Sequence, residues 1–126
     1  YEFVLDNIHL VHQWIQAGCL IQMDAGSLNG TLGKSAQKSA IQIIQNRMCH
    51  LIGSDAHNDK NRNFCLKVAL EHVTALTDES FSGLLIQNAY KVLKGEDIEQ
   101  DLIEVKPKKI NLLSKLKSKI WSTIDI

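Results

Sequence analysis

Hydrophobic positions along the first 95 residues occur in two patterns, helical spacing and short continuous runs. Apolar residues three and four apart predict amphipathic helices, whereas short apolar runs bounded by turn residues predict buried strands. Helical spacing covers four stretches: residues 7–18, 34–46, 64–76 and 77–95. Short apolar runs at residues 19–24 and 49–54 predict two strands. The stretch 64–76 is apolar around most of its circumference, which predicts a deeply buried helix.

The order of the predicted elements is helix, strand, helix, strand, helix, helix. Strands that alternate with helices form parallel sheets joined by helical crossovers. The predicted fold class is therefore α/β, with two parallel strands and flanking helices. Two strands cannot cover that many helical faces, so we expect further strands to lie upstream or to come from a partner.

Beyond Gly95 the charge pattern changes from acidic to basic. Residues 96–104 are rich in carboxylates, and the Lys-rich segment after Pro107 has apolar residues on roughly one side of a helix. This predicts a division into a domain at 1–95 and a tail at 96–126. A basic amphipathic tail can bind an anionic membrane surface or a partner's groove, or dock on its own domain. A noncatalytic module that binds through this tail is one hypothesis for the chain.

Composition narrows the function classes. The chain has 14 Lys and Arg against 14 Asp and Glu, so net charge gives no argument for nucleic-acid binding. No apolar run approaches the roughly 20 residues of a membrane span. The start at Tyr1 has no signal-peptide pattern, which predicts an internal start. Three cysteines without a CxxC pair favour reduced thiols in the cytoplasm, and none has the spacing to an Arg that a cysteine phosphatase needs.

Residues 25–33 are rich in glycine and other small residues. They match neither the P-loop nor the dinucleotide-binding pattern. A strand-to-helix loop beside an active site is the favoured interpretation. Among the histidines, His9 and His12 are one helical turn apart but lack a third ligand nearby, so solvated side chains are favoured over a metal site. His50 is predicted to be a packed or strand-end histidine.

Asp55 and His57 directly follow the second predicted strand. Side chains two residues apart in an extended strand point to the same side, so this pair can meet one ion or one substrate atom. A carboxylate and an imidazole at a strand end are suited to divalent-metal binding. The alternative is that Asp55 initiates a turn and His57 is a surface residue, and spacing alone does not decide between them.

The run Ser54-Asp55-Ala56-His57-Asn58, followed by Asn61-Arg62-Asn63-Phe64, resembles the PHP-domain phosphoesterases, named for polymerase and histidinol phosphatase. More narrowly, the sequence resembles the C-terminal part of bacterial manganese-dependent tyrosine phosphatases of capsule and exopolysaccharide operons. The resemblance extends from Tyr1 to about Gly95. It implies the C-terminal portion of a distorted (β/α)7 barrel, with its site at the carboxyl ends of the strands.

The resemblance also implies a cluster of two or three metal ions, most often manganese, held by His, Asp and Glu side chains. Asp55 and His57 match the last ligand motif of the family, and Arg62 matches an arginine that approaches the substrate phosphate. The family's paired N-terminal histidines and its His-Pro-Glu-Arg stretch have no counterpart in this sequence, and the latter would fall immediately before Tyr1. The expectation is that this chain alone is an incomplete enzyme.

The function implied by the resemblance is hydrolysis of phosphotyrosine in a protein, and the expected substrate is a tyrosine autokinase that controls capsular polysaccharide export. The expected location is the cytoplasm, at the inner face of the membrane if the tail binds there, with oligomerisation left open. An alternative within the superfamily is a phosphoesterase for histidinol phosphate or for a nucleic-acid phosphodiester. A substrate panel would separate these alternatives.

Overall fold

A computed structural model describes residues 7–57 and 64–99 of the chain. These residues form an α/β unit of five helices and two strands. In chain order the elements are α1 (Ile8–Gln16), β1 (Gln22–Asp24), α2 (Ala25–Asn29), α3 (Lys34–Gln45), β2 (Leu51–Gly53), α4 (Leu66–Leu76) and α5 (Glu79–Lys94). The predicted alternation of helices and strands is confirmed. The short helix α2 is an addition, because residues 25–33 were expected to form a loop.

The two strands are neighbours and run parallel. Gln22 pairs with Leu51, and Asp24 pairs with Gly53. Since the strands are parallel and in register, their carboxyl ends lie at the same edge of the sheet. Both strands are shorter than the apolar runs that predicted them. The described residues therefore confirm an α/β fold with two parallel strands, while the tail beyond residue 99 lies outside the description.

His50 extends the pairing of the strands by one position. The backbone N–H groups of His50 and Leu51 donate to the Ile21 carbonyl oxygen, at 2.8 and 3.2 Å. In return, the Ile21 N–H donates to His50 Nδ1 at 3.0 Å, and the Asn88 side-chain amide donates to the His50 carbonyl at 3.0 Å. His50 is buried. The prediction of a packed, strand-end histidine is confirmed.

The core lies between the sheet and the helices. Met23 is buried on one side of β1, whereas Gln22, its neighbour in the strand, is exposed on the other. The largest fully buried side chains come from α1, α2, α3, α4 and α5: Val11, Leu28, Ile44, Val73 and Leu85. No helix within the described ranges is long and apolar enough to cross a membrane.

The prediction of deep burial for α4 is wrong. Only Ala69 and Val73 of this helix are buried, and Val68 remains 48% exposed. Within the described residues α4 packs against α2, α3 and α5, which cover one stripe of its surface. The apolar composition of the helix gave no indication of how many of its faces these neighbours would cover.

The ends of α5 agree with the sequence prediction. Asp78 is the N-cap, and its Oδ1 accepts from the Phe81 N–H at 2.9 Å. Gly95 ends the helix with φ of 71°, a left-handed conformation that favours glycine. Asp78 also forms an ion pair with Arg47, whose guanidinium lies 5.2 Å from the centre of the Phe81 ring. Three groups beside the Asp78 carboxylate lower its pKa: the Phe81 N–H, the Arg47 side chain and the Ser80 N–H.

Candidate functional site

The carboxyl edge of the sheet brings together the turns that follow β1 and β2. At the end of β1, Asp24 Oδ1 accepts from the Gly26 N–H at 2.7 Å and caps α2. The turn is closely packed, since a Cβ at Gly26 would lie 2.7 Å from Thr31 Oγ1 and 3.0 Å from Asp24 Oδ1. Sequence reasoning placed Asp24 at the end of a strand but missed its capping role. The Asp-x-Gly spacing ahead of a small-residue stretch was the available signal.

Asp55 and His57 follow the end of β2 at the same edge. The strand ends at Gly53, and Asp55 has a φ of 46°, in the left-handed region. The prediction that both side chains project from one extended strand is therefore wrong in its geometry. A turn brings the two residues together instead, and Asp is one of the few residue types that enters this conformation readily.

Within this turn, His57 folds back on Asp55. His57 Nδ1 lies 2.7 Å from the backbone carbonyl oxygen of Asp55 and 3.6 Å from its carboxylate Oδ1. The carbonyl can only accept, so the contact requires a proton on Nδ1 and, in neutral imidazole, leaves the lone pair on Nε2. An Nδ1–H that donates to a backbone carbonyl is the usual arrangement of a histidine whose Nε2 binds metal.

The chemistry of the pair fits a divalent cation. The side chains of His57 and Asp55 are 56% and 48% exposed, so an incoming ion can reach both. A carboxylate oxygen and a neutral imidazole nitrogen are ligands that manganese and zinc both accept. Two residues do not complete a coordination shell, and across residues 7–57 and 64–99 no group of three or more His, Cys, Asp and Glu side chains is placed to hold a metal.

The predicted phosphate contact, Arg62, lies in the segment 58–63, outside the described residues. The role of Arg62 therefore stays a prediction. His9 is exposed and His12 is half-buried on α1. Neither belongs to a group of three possible ligands among residues 7–57 and 64–99.

Cys49 and His50 are buried just ahead of β2, at the opposite end of the strand from Asp55 and His57, and are unsuited to ligand chemistry. The Cys49 thiol donates to the Leu51 carbonyl oxygen at 3.0 Å, and burial raises its pKa to about 12. A thiol with that pKa stays protonated near neutral pH and is a poor nucleophile. Burial lowers the pKa of His50, whose Nδ1 is already occupied by the Ile21 N–H. Cys19, Cys49 and Cys65 are all free thiols.

The fold places the chain in a class, the α/β proteins, whose ligand sites commonly lie at the carboxyl ends of parallel strands, the edge at which Asp55 and His57 follow β2. Within that class, the chain belongs to the CpsB/CapC family of capsular polysaccharide synthesis, whose family model matches residues 1–94. The resemblance stated from the sequence motifs is confirmed by this match.

Individual relatives agree with the family. Tyrosine-protein phosphatase YwqE of Bacillus subtilis is 29% identical over 95 residues, which are 75% of this chain and 37% of that protein. CapC of Staphylococcus aureus is 38% identical over 64 residues, 51% of this chain and 25% of that protein. The chain thus spans well under half the length of the curated relatives it matches.

A solved structure of a member of this group is similar to the structure of this chain. It comes from work on YwqE of Bacillus subtilis and CpsB of Streptococcus pneumoniae, described as unique metal-dependent tyrosine phosphatases. The match has a TM-score of 0.70 and 29% sequence identity, and covers 75% of this chain and 38% of the solved one. Metal dependence and tyrosine phosphatase activity are thereby attached to relatives that share both fold and sequence with this chain.

Proposed function

We propose that this chain contributes to a metal-dependent protein tyrosine phosphatase of the PHP type, which acts in capsular or exopolysaccharide synthesis. The observation that carries the proposal is the turn after β2, where the Nδ1 contact of His57 with the Asp55 carbonyl leaves Nε2 available as a ligand. Membership of the CpsB/CapC family supports the biological setting. The tyrosine phosphatase named among the relatives supports the reaction.

In this proposal, Asp55 and His57 are two ligands of a cluster of two or three divalent ions, and the proposed metal is manganese. Bound ions of this kind lower the pKa of coordinated water and stabilise negative charge on phosphate oxygens. Asp55 contributes a carboxylate and, through its backbone carbonyl, fixes the His57 ring. The remaining ligands must come from outside the described residues, from other strands of a PHP barrel. The chain is accordingly proposed to be active only as part of that larger site.

Arg62 is proposed as the residue that contacts the substrate phosphate. It stands five positions after His57 in the sequence. A guanidinium can donate two parallel hydrogen bonds to phosphate oxygens, and it keeps its positive charge at all physiological pH values. Lys60 would provide a point charge without this fork geometry, so Arg62 is the better candidate for orienting the phosphoryl group.

The proposed substrate is a phosphotyrosine protein, in particular a bacterial tyrosine autokinase of the polysaccharide export system. The proposed location is the cytoplasm, at the inner face of the membrane where such a kinase works. Free thiols at Cys19, Cys49 and Cys65 are consistent with a reducing compartment. A membrane contact through the tail at 96–126 is part of this proposal and rests on sequence pattern alone.

The test uses the full-length gene product, a phosphotyrosine peptide and added manganese. Asp55→Asn and His57→Gln should each lower kcat/KM by at least about a hundredfold, because each removes a metal ligand. Bound metal, measured by elemental analysis, should fall in the same variants. Asp97→Asn and His72→Gln make the same chemical changes at exposed positions outside the site and should leave both quantities unchanged.

Arg62→Lys should raise KM or lower kcat while metal content stays at the wild-type level, because charge is kept and the fork is lost. Wild-type activity in the Asp55→Asn and His57→Gln variants would contradict the proposed site. Activity toward histidinol phosphate or a nucleic-acid phosphodiester that exceeds activity toward phosphotyrosine would contradict the proposed substrate.

A further inference from the structure

Gln22 is a polar side chain on the face of the sheet opposite the buried core. It is exposed, whereas Met23, the next residue of β1, is buried on the other face. Because β1 and β2 are parallel and in register, residues that pair across the sheet have their side chains on the same face. Gln22 pairs with Leu51, so Leu51 and Gly53 share its face. The chain continues from this face to the carboxyl edge, where Asp55 follows Gly53 by two residues.

The Gln22 side chain extends along the strands toward that edge. Although its backbone pairs with Leu51, its amide lies against Gly53, two residues further along β2. A Cβ added at Gly53 would be 3.1 Å from Gln22 Nε2 and 3.7 Å from Gln22 Cδ. Gly53 and Asp24 form the last pair of the sheet. The amide of Gln22 is therefore one pair nearer to the carboxyl edge than its own backbone.

Gly53 makes room for this amide. A glycine in a strand usually marks a bulge, a tight bend or a place where another group approaches closely. Gly53 pairs in register with Asp24, which excludes a bulge at this position, and its φ is not positive. Its backbone conformation is therefore open to other residue types. The feature that a side chain at position 53 would disturb is the close approach of the Gln22 amide.

We propose that Gln22 is a further substrate-contacting residue, whose side-chain amide donates a hydrogen bond to an oxygen of the phosphate bound beside Asp55 and His57. The inference rests on the proposed function, in which those two residues hold metal ions. At most roughly 7 Å of backbone separates Gly53 from Asp55, so a phosphate at the ions extends toward the amide. An amide is uncharged and carries two N–H donors, so it can orient the phosphate without competing for the metal as a carboxylate would.

The experiment measures the affinity of the full-length, manganese-loaded gene product for inorganic phosphate by titration calorimetry. Gln22→Met keeps the length of the side chain but removes its amide. This variant should raise the dissociation constant for phosphate at least about fivefold, because a hydrogen bond to a charged group is lost. Bound manganese should stay at the wild-type level. Gln87→Met makes the same change at an exposed position of α5 and should leave both quantities unchanged.

A second variant, Gly53→Val, tests whether the amide acts from its place against Gly53. The added methyl groups would extend into the space that the Gln22 amide occupies. Gly53→Val alone should weaken phosphate binding by a factor similar to that of Gln22→Met. In the Gln22→Met background it should have little further effect, because the group that it displaces is already absent. Bound manganese should again stay at the wild-type level.

Three results would overturn the inference. The first is wild-type affinity for phosphate in Gln22→Met. The second is a loss of bound manganese in Gln22→Met or Gly53→Val, which would assign this face of the sheet to holding the metal. The third is an equal effect of Gly53→Val with and without the Gln22 amide. Failure of the proposed function is recognised separately, by wild-type activity and metal content in Asp55→Asn and His57→Gln.

Discussion

The two strands end in turns that use their polar residues in opposite ways. After β1, the Asp24 carboxylate accepts from the Gly26 N–H, and α2 begins immediately. After β2, residues 54–57 are not helical, and Asp55 and His57 are about half exposed. The comparison shows that a carboxylate at a strand end is not by itself a ligand. The turn after β1 uses its Asp to begin a helix, whereas the turn after β2 leaves the Asp55 and His57 side chains exposed, as their proposed role as metal ligands requires.

Substitution in α2, the helix that follows the turn after β1, should have the largest effect on stability. Leu28→Ala removes a fully buried side chain of α2 and should lower the free energy of unfolding by about 2–5 kcal/mol. Urea unfolding measures this loss. Leu93→Ala, at an exposed position of α5, should change stability by less than about 0.5 kcal/mol. Equal effects at the two positions would contradict the described packing.

The tight packing of the turn after β1 predicts the next largest loss of stability. Gly26→Ala places a Cβ against Thr31 Oγ1 and Asp24 Oδ1 and should cost about 1–3 kcal/mol. Gly83→Ala is the matched control, because nothing lies within 4 Å of an added Cβ in the middle of α5. That change should stabilise the helix by up to about 1 kcal/mol. Thermal unfolding of the two variants would show whether they shift in opposite directions.

The comparison between the two carboxylates can be made directly. Asp24→Ala removes a helix cap and should cost about 0.5–2 kcal/mol, while Asp24→Asn should retain most of the stability. Asp55→Ala should change stability by less than about 0.5 kcal/mol in the absence of metal but should reduce bound metal. Unfolding curves and metal analysis on the full-length gene product separate the two roles. A loss of metal in Asp24→Asn would instead make Asp24 a member of the site.

The smallest change in the free energy of unfolding is expected on lowering the pH. Burial lowers the pKa of His50 from its ordinary value of 6.5, so the folded state binds fewer protons than the unfolded chain. Because the unfolded chain takes up a proton at His50 more readily than the folded protein does, the free energy of unfolding falls as the pH drops below about 6.5 and is not reduced by His50 above that pH. Unfolding curves across this pH range should show the loss in the wild-type protein. His50→Gln should reduce the slope, whereas His72→Gln, on the exposed side of α4, should leave it unchanged.

Much of the fold could be predicted from the sequence because its signals are local. Helical spacing identified α1, α3, α4 and α5, and apolar runs identified both strands. The stretch 77–95 contains α5 together with both of its caps, Asp78 and Gly95, because cap chemistry involves only neighbouring residues. The short helix α2 was missed because five residues carry too little periodicity to distinguish a helix from a loop. Its stability comes from the Asp24 cap and from burial of Leu28.

The candidate site was predictable in composition but not in geometry. Asp55 and His57 were identified from their place after a strand and from a family motif, and the family itself is confirmed. The turn that brings them together, with Asp55 in the left-handed conformation, was not predicted. The prediction assumed that side chains alternate as in an extended strand, but the strand ends at Gly53. The ligand roles of Asp55 and His57 and the phosphate contact of Arg62 remain predictions to be tested by mutation.

The sequence by itself determined the order of elements, the helix caps and the position of the Asp-Ala-His motif, since each depends on residues close together in the chain. Only the tertiary structure decided how β1 pairs with β2, how little of α4 is buried, and that Asp24 is used as a cap while Asp55 is exposed. These features depend on the register of β1 against β2 and on which helices lie beside them. Register and packing join residues some 30 positions apart, as Ile21 and His50 are, and no local pattern specifies such contacts.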